Sequence, residues 1–164
     1  MTWTFWRLSV SPEVATAVQG TRGRGRWNTV ATHPVYAASS VALAALERLL
    51  YAQFDTRRGA FETHHLFRIT IPEDTVIDRV SVDELPAGWV EMVSPVDPAS
   101  VPTRLQTIGD AWVRRGASVA LVVPSAHAWE DTNALLNPAH PDFPRIAVTY
   151  VRPYRFDHRF AGRP

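Results

Sequence analysis

A short segment in the first third of the chain carries the side chains needed to bind and cleave a nucleotide. Residues 23–28 read Gly-Arg-Gly-Arg-Trp-Asn, Tyr36 follows them, and a single carboxylate, Glu47, interrupts an apolar stretch. Backbone N–H groups and guanidinium groups bind phosphate, and an aromatic ring offers a stacking surface. A carboxylate in apolar surroundings can stabilise a developing positive charge. The pattern therefore predicts a dinucleotide site.

Glu47 lies on the strongest predicted helix of the chain. Residues 41–54 contain strong helix formers and neither Gly nor Pro. At about 100° per residue, Glu47 falls among the apolar side chains of this helix and Arg48 falls on the opposite side. A carboxylate on an apolar face needs a cationic or hydrogen-bonding partner, because burying it alone is costly. We expect Arg7 or Arg26 to be that partner.

The other elements that must position these residues follow from periodicity and from turn residues. Ser39 or Ser40 is a suitable N-cap for the helix that carries Glu47. An amphipathic repeat predicts a second, packing helix, with Gly116 as the residue that ends it. The predicted strands are 3–9, 35–36, 66–71, 75–80, 119–123 and 145–154, and the second helix covers 101–115. Residues 124–144, between the last two strands, are expected to form a loop.

Composition limits the classes of function. The chain has 164 residues, of which 46% are hydrophobic, which suits one compact domain over residues 1–164. Its 17 Lys and Arg residues nearly balance 16 Asp and Glu residues, so no global field attracts nucleic acid or an anionic membrane. Cysteine is absent, the N-terminus lacks the apolar run of a signal peptide, and no segment approaches the roughly 20 apolar residues that span a bilayer. The histidines show no metal-ligand spacing. We expect a cytoplasmic protein without metal, nucleic acid or membrane as partner.

The residues singled out above, together with a distant loop, resemble the RES domain family. The resemblance is carried by Trp6-Arg7, Gly25-Arg26-Trp27-Asn28, Tyr36, Glu47, Pro124-Ser125, Asn137-Pro138 and His140-Pro141-Asp142-Phe143. It covers nearly the whole chain in the expected order, and it departs at Arg24, where the family more often has a second glycine. RES proteins are toxins of bacterial toxin–antitoxin pairs. Their relation to ADP-ribosyltransferases implies an α+β fold with two small mixed or antiparallel sheets and flanking helices.

The resemblance also implies an enzyme that cleaves the nicotinamide–ribose glycosidic bond of NAD. NAD would be the substrate rather than a tightly bound cofactor, and inorganic phosphate would be a co-substrate if the cleavage is a phosphorolysis. Hydrolysis and ADP-ribosylation of a protein target begin with the same step and stay open, as does an inert interaction module of the same fold. A ribonuclease is disfavoured, because the balanced charge neutralises little phosphate and no acid–base histidine pair is evident. The implied protein partner is a cognate antitoxin that covers the active site.

Roles for individual residues are implied in the same way. Glu47, Arg26 and Tyr36 are the implied catalytic residues, with the Glu47 carboxylate facing the oxocarbenium-like transition state. The implied substrate-binding residues are Arg7, Gly25, Arg26, Trp27, Asn28, Tyr36, Ser125 and Asn137. Simpler roles compete with these, since Trp27 and Tyr36 are also typical of core aromatics, Ser125 of a turn or cap, and Asn137 of a loop brace.

Overall fold

The computed structural model describes residues 2–52, 63–92 and 101–157, without the side chains of residues 51 and 52. The strands in these ranges are β1 (Trp3–Ser9), β2 (Val35–Ala38), β3 (His64–Ile71), β4 (Ile77–Arg79), β5 (Ala120–Pro124), β6 (Thr132–Leu136) and β7 (Ala147–Tyr154). The α-helices are α1 (Val14–Ala17), α2 (Val41–Ala52) and α3 (Arg104–Arg115), and short 3-10 helices cover Val82–Glu84, Trp89–Glu91 and Phe143–Arg145. The predicted end of the first long helix, at residues 53 and 54, lies outside the described residues.

All these strands join one sheet, in the order β4-β5-β6-β2-β1-β3-β7. Strands β4 and β5 are parallel, and the other neighbours are antiparallel. In the described chain β1 pairs with β2 only at Trp6 and Ala38, so a narrow junction links a four-stranded section to a three-stranded one. The α+β class is confirmed, but the expectation of two separate sheets needs correction, because this junction makes the sheet continuous.

The sheet folds back so that its two sections face each other. One core cluster combines Phe5 and Ile69 of the three-stranded section with Val122 of the four-stranded section. The guanidinium of Arg79 on β4 lies 4.5 Å from the ring centre of Trp3 on β1, although three strands separate β1 from β4 in the sheet. Because this inner face is filled by apolar side chains, a helix can pack only on the outer face.

The two longer helices cover different parts of the outer face. Helix α2 packs on Trp6, Leu8 and Ala38, at the junction of the two sections. Helix α3 packs on Leu121 and Leu135 of the four-stranded section. These strand residues alternate with inner-face residues, as the two-residue period of a strand requires. No helix in the described ranges is long and apolar enough to cross a membrane.

Local signals set the start of α2 and the end of α3 as predicted. The Ser40 hydroxyl accepts a hydrogen bond from the backbone N–H of Leu43 at 3.1 Å, so Ser40 is the N-cap of α2. Thr103 caps α3 and forms a reciprocal capping box with Gln106. Gly116 ends α3 in the left-handed region at φ 58°, which glycine adopts without strain. Helix α3 therefore begins three residues later than expected, because Thr103 caps it.

Strand β6 was not predicted, because residues 132–136 were expected to lie in a loop. Its buried residues are Ala134, Leu135 and Leu136, which lack the β-branched side chains typical of strands. The segment is nevertheless extended, because β5 and β2 supply hydrogen-bonding partners on its two edges. Pairing with distant strands decides this conformation more than the intrinsic preference of the residues does.

Candidate functional site

Residues 25–28 form a tight turn that closes around the Tyr36 hydroxyl. The backbone N–H of Gly25 donates to the carbonyl of Asn28 at 3.0 Å. The Tyr36 hydroxyl donates to Asn28 Oδ1 at 2.7 Å and accepts from the backbone N–H of Trp27 at 3.2 Å. A Cβ atom on Gly25 would lie 2.5 Å from both Asn28 Oδ1 and the Tyr36 hydroxyl oxygen, so the turn requires glycine at this position. The structure thus brings four predicted residues together.

Helix α3 supports this turn from the core side. Gln106 Nε2 donates to the carbonyls of Gly25 at 2.9 Å and Asn28 at 3.2 Å. Gly109 allows the helix to approach, since a Cβ atom there would lie 1.8 Å from the Trp27 carbonyl oxygen. The helix therefore fixes the turn by side-chain hydrogen bonds and by direct backbone packing.

Asp110 of α3 holds the chain just after the turn. Asp110 is buried, with 4% of the residue exposed. Its carboxylate accepts hydrogen bonds from the Thr29 N–H at 3.1 Å, from the Thr29 hydroxyl at 2.6 Å and from the Thr32 hydroxyl. These donors satisfy a buried carboxylate that would otherwise destabilise the fold.

Trp27 and Asn28 are buried at 2% and 0% exposure. Trp27 packs against Leu105 and Trp112 under the turn. The Asn28 Nδ2 group donates to the carbonyls of residues 23, 29 and 32. Both side chains therefore organise the turn, and their predicted contact with a substrate stays a prediction.

Arg26 extends from the turn to a neighbouring segment. Its Nη1 group donates to the carbonyls of Val90 and Met92, each at 2.9 Å, and of Trp89 at 3.3 Å. These carbonyls lie in and just after a 3-10 helix, where carbonyl dipoles attract a cation. The contact joins the turn to residues 89–92, and the predicted catalytic role of Arg26 stays a prediction.

Glu47 projects from α2 with 26% of its side chain exposed. Its Oε1 atom accepts a hydrogen bond from Asn133 Nδ2 at 2.8 Å, and its Oε2 atom lies 4.0 Å from His127 Nε2. The expectation that Arg7 or Arg26 is the partner of Glu47 is therefore wrong. Arg26 is engaged by backbone carbonyls and Arg7 by the carbonyl of Tyr36, whereas α2 directs Glu47 toward β6.

Strand register places Glu47 and the turn over the same face of the sheet. Ala38 pairs with Asn133, and Tyr36 pairs with Leu135. Alternate residues of a strand share a face, so Tyr36 and Asn133 both point outward and lie about 7–8 Å apart as diagonal neighbours. The carboxylate held by Asn133 and the phenol held by the turn therefore border one region of the outer surface.

The loop of residues 125–131 carries His127 toward Glu47. The Ser125 hydroxyl, in a residue that is 1% exposed, accepts from the backbone N–H groups of residues 127 and 128, each at 3.1 Å. The Asp131 carboxylate accepts from the hydroxyls of Ser39 at 2.7 Å and Ser40 at 2.9 Å. Ser125 is thus a turn residue, and Asp131 ties this loop to the start of α2.

Asn137 lies at the far end of β6 and is 2% exposed. Its Nδ2 group donates to the carbonyl of Val113 at 3.3 Å, and its Oδ1 atom accepts from the N–H of Ala139 at 3.1 Å. These bonds join the last turn of α3 to the turn after β6. The bracing role is present, and the predicted substrate contacts of Ser125 and Asn137 stay predictions.

Arg7 lies where β1 and β2 separate. Its Nη1 group donates to the Tyr36 carbonyl at 2.5 Å. Continued antiparallel pairing would place Leu8 opposite Tyr36, and Arg7 instead satisfies that carbonyl. Burial, with a smaller contribution from the charge of Arg48, lowers the pKa of Arg7 to about 10. A cation that is disfavoured by its own surroundings is suited to bind an anion.

Sequence reasoning missed the residues that hold the site together. The missed residues are Asn133, His127, Asp131, Gln106 and Asp110. Most of these residues form hydrogen bonds with partners that lie more than 70 positions away in the chain, so no local pattern reveals them. Within the described residues no group of three His, Asp or Glu side chains could hold a metal ion.

Comparison with known proteins gives matches over most of the chain. The sequence model of the RES domain matches residues 4–157. The Prs ADP-ribosylating toxin of Sphingobium sp. (strain YBL2) is 32% identical over 97% of this chain and 97% of its own length. Toxin Res of Photorhabdus laumondii subsp. laumondii is 36% identical over 90% of this chain and 89% of its own length. Toxin Res of Yersinia enterocolitica is 36% identical over 80% of this chain and 79% of its own length.

A solved structure shares the fold. The crystal structure of the M. tuberculosis MbcT–MbcA toxin–antitoxin complex matches with a TM-score of 0.63 at 16% sequence identity. The match covers 95% of this chain and 85% of the other chain. At this identity the likeness concerns the fold alone.

Proposed function

Because the chain belongs to the RES domain family, as its motifs predicted, we propose that it is the toxin of a toxin–antitoxin pair and cleaves the nicotinamide–ribose bond of NAD. The names of the Photorhabdus and Yersinia relatives support the toxin role. The observation that carries the proposed chemistry is the Glu47 carboxylate, partly exposed on the outer face and oriented by Asn133 at 2.8 Å.

The proposed reaction needs few protein groups. The bond between the ribose C1′ atom and the nicotinamide nitrogen breaks, nicotinamide leaves with the electron pair, and positive charge develops on the ribose. Glu47 accepts a hydrogen bond from a ribose hydroxyl and stabilises that charge, which lowers the barrier because the interaction is stronger in the transition state. Phosphate, water or a nucleophile of a target protein then adds to C1′.

The remaining predicted residues would bind and orient NAD. The Arg7 guanidinium would hold the diphosphate, and Tyr36 would orient the nicotinamide ribose beside Glu47. Binding of the distant adenosine half would help to fix the reactive geometry. A cognate antitoxin would inhibit the enzyme most simply by covering this outer face.

ADP-ribosylation of a protein target is the second candidate. It is favoured by one observation, the name of the Sphingobium relative, which is 32% identical over nearly the whole chain. The first step is the same in both candidates, so only the acceptor distinguishes them. NAD alone would then be consumed slowly, and a labelled protein would appear when NAD and a cell extract are supplied.

The test is incubation of purified protein, free of antitoxin, with NAD in buffers with and without phosphate. Chromatography would follow nicotinamide, ADP-ribose and its 1-phosphate. Release that requires phosphate identifies phosphorolysis, and release without phosphate identifies hydrolysis. We expect Glu47→Gln to lower the rate by about 100-fold or more, as for removal of a group that stabilises developing charge.

A matched control separates this effect from a general effect of charge. Glu13→Gln removes an exposed carboxylate beside α1, and it should leave the rate unchanged. If folded Glu47→Gln protein consumed NAD at the rate of the unsubstituted protein, the proposed mechanism would be wrong.

A further inference from the structure

The imidazole of His127 faces the carboxylate of Glu47 across a short gap. Its Nε2 atom lies 4.0 Å from Glu47 Oε2, which is too long for a direct hydrogen bond. The other carboxylate oxygen, Oε1, accepts from Asn133 Nδ2 at 2.8 Å. Within the described residues neither ring nitrogen of His127 has a hydrogen-bond partner, and Oε2 accepts no hydrogen bond. A ring nitrogen and a carboxylate oxygen therefore border this gap with unused hydrogen-bonding capacity.

The loop that carries His127 is fixed to the helix that carries Glu47. The Ser125 hydroxyl accepts from the backbone N–H of His127 at 3.1 Å, and the N–H of Asp131 donates to the carbonyl of Ala128 at 3.0 Å. The Asp131 carboxylate accepts from two serine hydroxyls at the start of α2, and Ala128 packs on a core cluster that includes residues of α2. These contacts hold the ring and the carboxylate in a defined relative position.

The gap has the width that one hydroxyl group needs. A hydroxyl oxygen at about 2.8 Å from both Nε2 and Oε2 would form an angle of roughly 90° with them. A hydroxyl can meet both atoms, because its hydrogen donates to the carboxylate while its oxygen accepts from the imidazole N–H. The side chains of His127 and Glu47 are 32% and 26% exposed, so a sugar hydroxyl can enter the gap from solvent.

We propose that His127 contacts the substrate and, together with Glu47, binds one hydroxyl of the ribose from which nicotinamide leaves. Glu47 Oε2 accepts a hydrogen bond from this hydroxyl, and His127 Nε2–H donates to its oxygen. A hydroxyl that accepts one hydrogen bond donates more strongly, so His127 strengthens the contact through which Glu47 acts. The second contact also orients the ribose against the carboxylate. That the hydroxyl belongs to this ribose rests on the proposed function, whereas the hydroxyl site itself does not.

Steady-state release of nicotinamide by the full chain tests the role of His127 in the reaction. We expect His127→Ala to lower kcat/KM for NAD by about 2- to 10-fold, the size of one neutral hydrogen bond. His127→Gln keeps an N–H donor of similar reach and should recover part of this loss. Glu130→Gln, which changes an exposed side chain of the same loop, is the matched control and should react normally. An unchanged kcat/KM in folded His127→Ala protein would overturn the contact.

Histidine NMR of the full chain tests the hydroxyl contact without any turnover. In protein with isotope-labelled histidine, the His127 signal is the one that disappears in His127→Gln. ADP-ribose carries the ribose in question and should shift this signal, whereas ADP lacks that ribose and should leave it in place. No shift with ADP-ribose, or an equal shift with both ligands, would overturn the assignment of the gap to a ribose hydroxyl.

The two measurements separate this inference from the proposed function. A shift of the His127 signal by ADP-ribose, in a protein that never releases nicotinamide from NAD, would contradict the proposed function and support the hydroxyl site. Cleavage of NAD with an unmoved His127 signal and an unchanged kcat/KM in His127→Ala would contradict the hydroxyl site and leave the proposed function standing.

Discussion

Removal of the Asn133 amide should slow cleavage of NAD and leave its binding nearly unchanged. Asn133 Nδ2 donates to Glu47 Oε1 at 2.8 Å, while His127 Nε2 is 4.0 Å from the other carboxylate oxygen. The amide bond is therefore the short contact that fixes the carboxylate. A hydrogen bond to a charged group contributes about 1.5–3 kcal/mol. We expect Asn133→Ala to lower kcat by about 10- to 150-fold, with little change in KM.

The assay is steady-state release of nicotinamide, with melting temperature as the check on folding. Asn133→Asp provides a second readout, because a carboxylate beside Glu47 disfavours ionisation of the pair and shifts the acid limb of the pH–rate profile to higher pH. Gln19→Ala, which removes an amide in the loop after α1, is the matched control. An unchanged kcat in folded Asn133→Ala protein would refute the positioning argument.

Three further outcomes are expected. Gly25→Ala should lower the melting temperature by about 2–12 °C in calorimetry, because overpacking against the Tyr36–Asn28 hydrogen bond costs about 1–3 kcal/mol. Gly23→Ala is the control, since nothing lies within 4 Å of a Cβ atom at that position. Equal melting temperatures for the two variants would contradict the steric argument. Asp110→Ala should lower the free energy of unfolding, measured in urea, by about 2–4 kcal/mol, since buried threonine donors lose their acceptor. A loss below about 1 kcal/mol would show that water replaces the carboxylate. The Arg145 hydrogen bond lowers the pKa of Asp74 below 3.8, so the contribution of this ion pair to stability is present at neutral pH and is lost as the pH falls below that value. The melting temperatures of the unsubstituted protein and of Asp74→Asn should therefore converge at acid pH. A difference that stays constant with pH would argue against this pair.

Local patterns predicted those elements whose own residues decide their conformation. The α2 helix follows from a run of helix formers with Ser40 as its cap, and α3 ends at Gly116 because glycine adopts φ 58° there. The fully buried β5 follows from an uninterrupted apolar run. Strand β6 was missed, since its alanine and leucine residues become extended only through pairing with β2 and β5.

The candidate site also combines features that local sequence predicts with features that only distant contacts decide. Residues Gly25 to Asn28 and Tyr36 were singled out by type and spacing, and the structure joins them through the Tyr36 hydroxyl. The partner of Glu47 was assigned wrongly, because Asn133 lies 86 positions away in the chain and reaches α2 only after β6 has paired with β2. A helical wheel shows which side of α2 a residue occupies, but not which strand that side meets.

The sequence by itself determined the family, the start of α2, the end of α3 and the residue types that suit a nucleotide. These are consequences of local backbone preference, hydrophobic period and side-chain chemistry, which nearby residues specify. Tertiary structure decided that one sheet folds back on itself, that Asn133 orients Glu47, and that Arg7 donates to the Tyr36 carbonyl where β1 and β2 separate. Those features depend on strand pairing and hydrogen bonds between distant segments, which the packing of the whole chain determines.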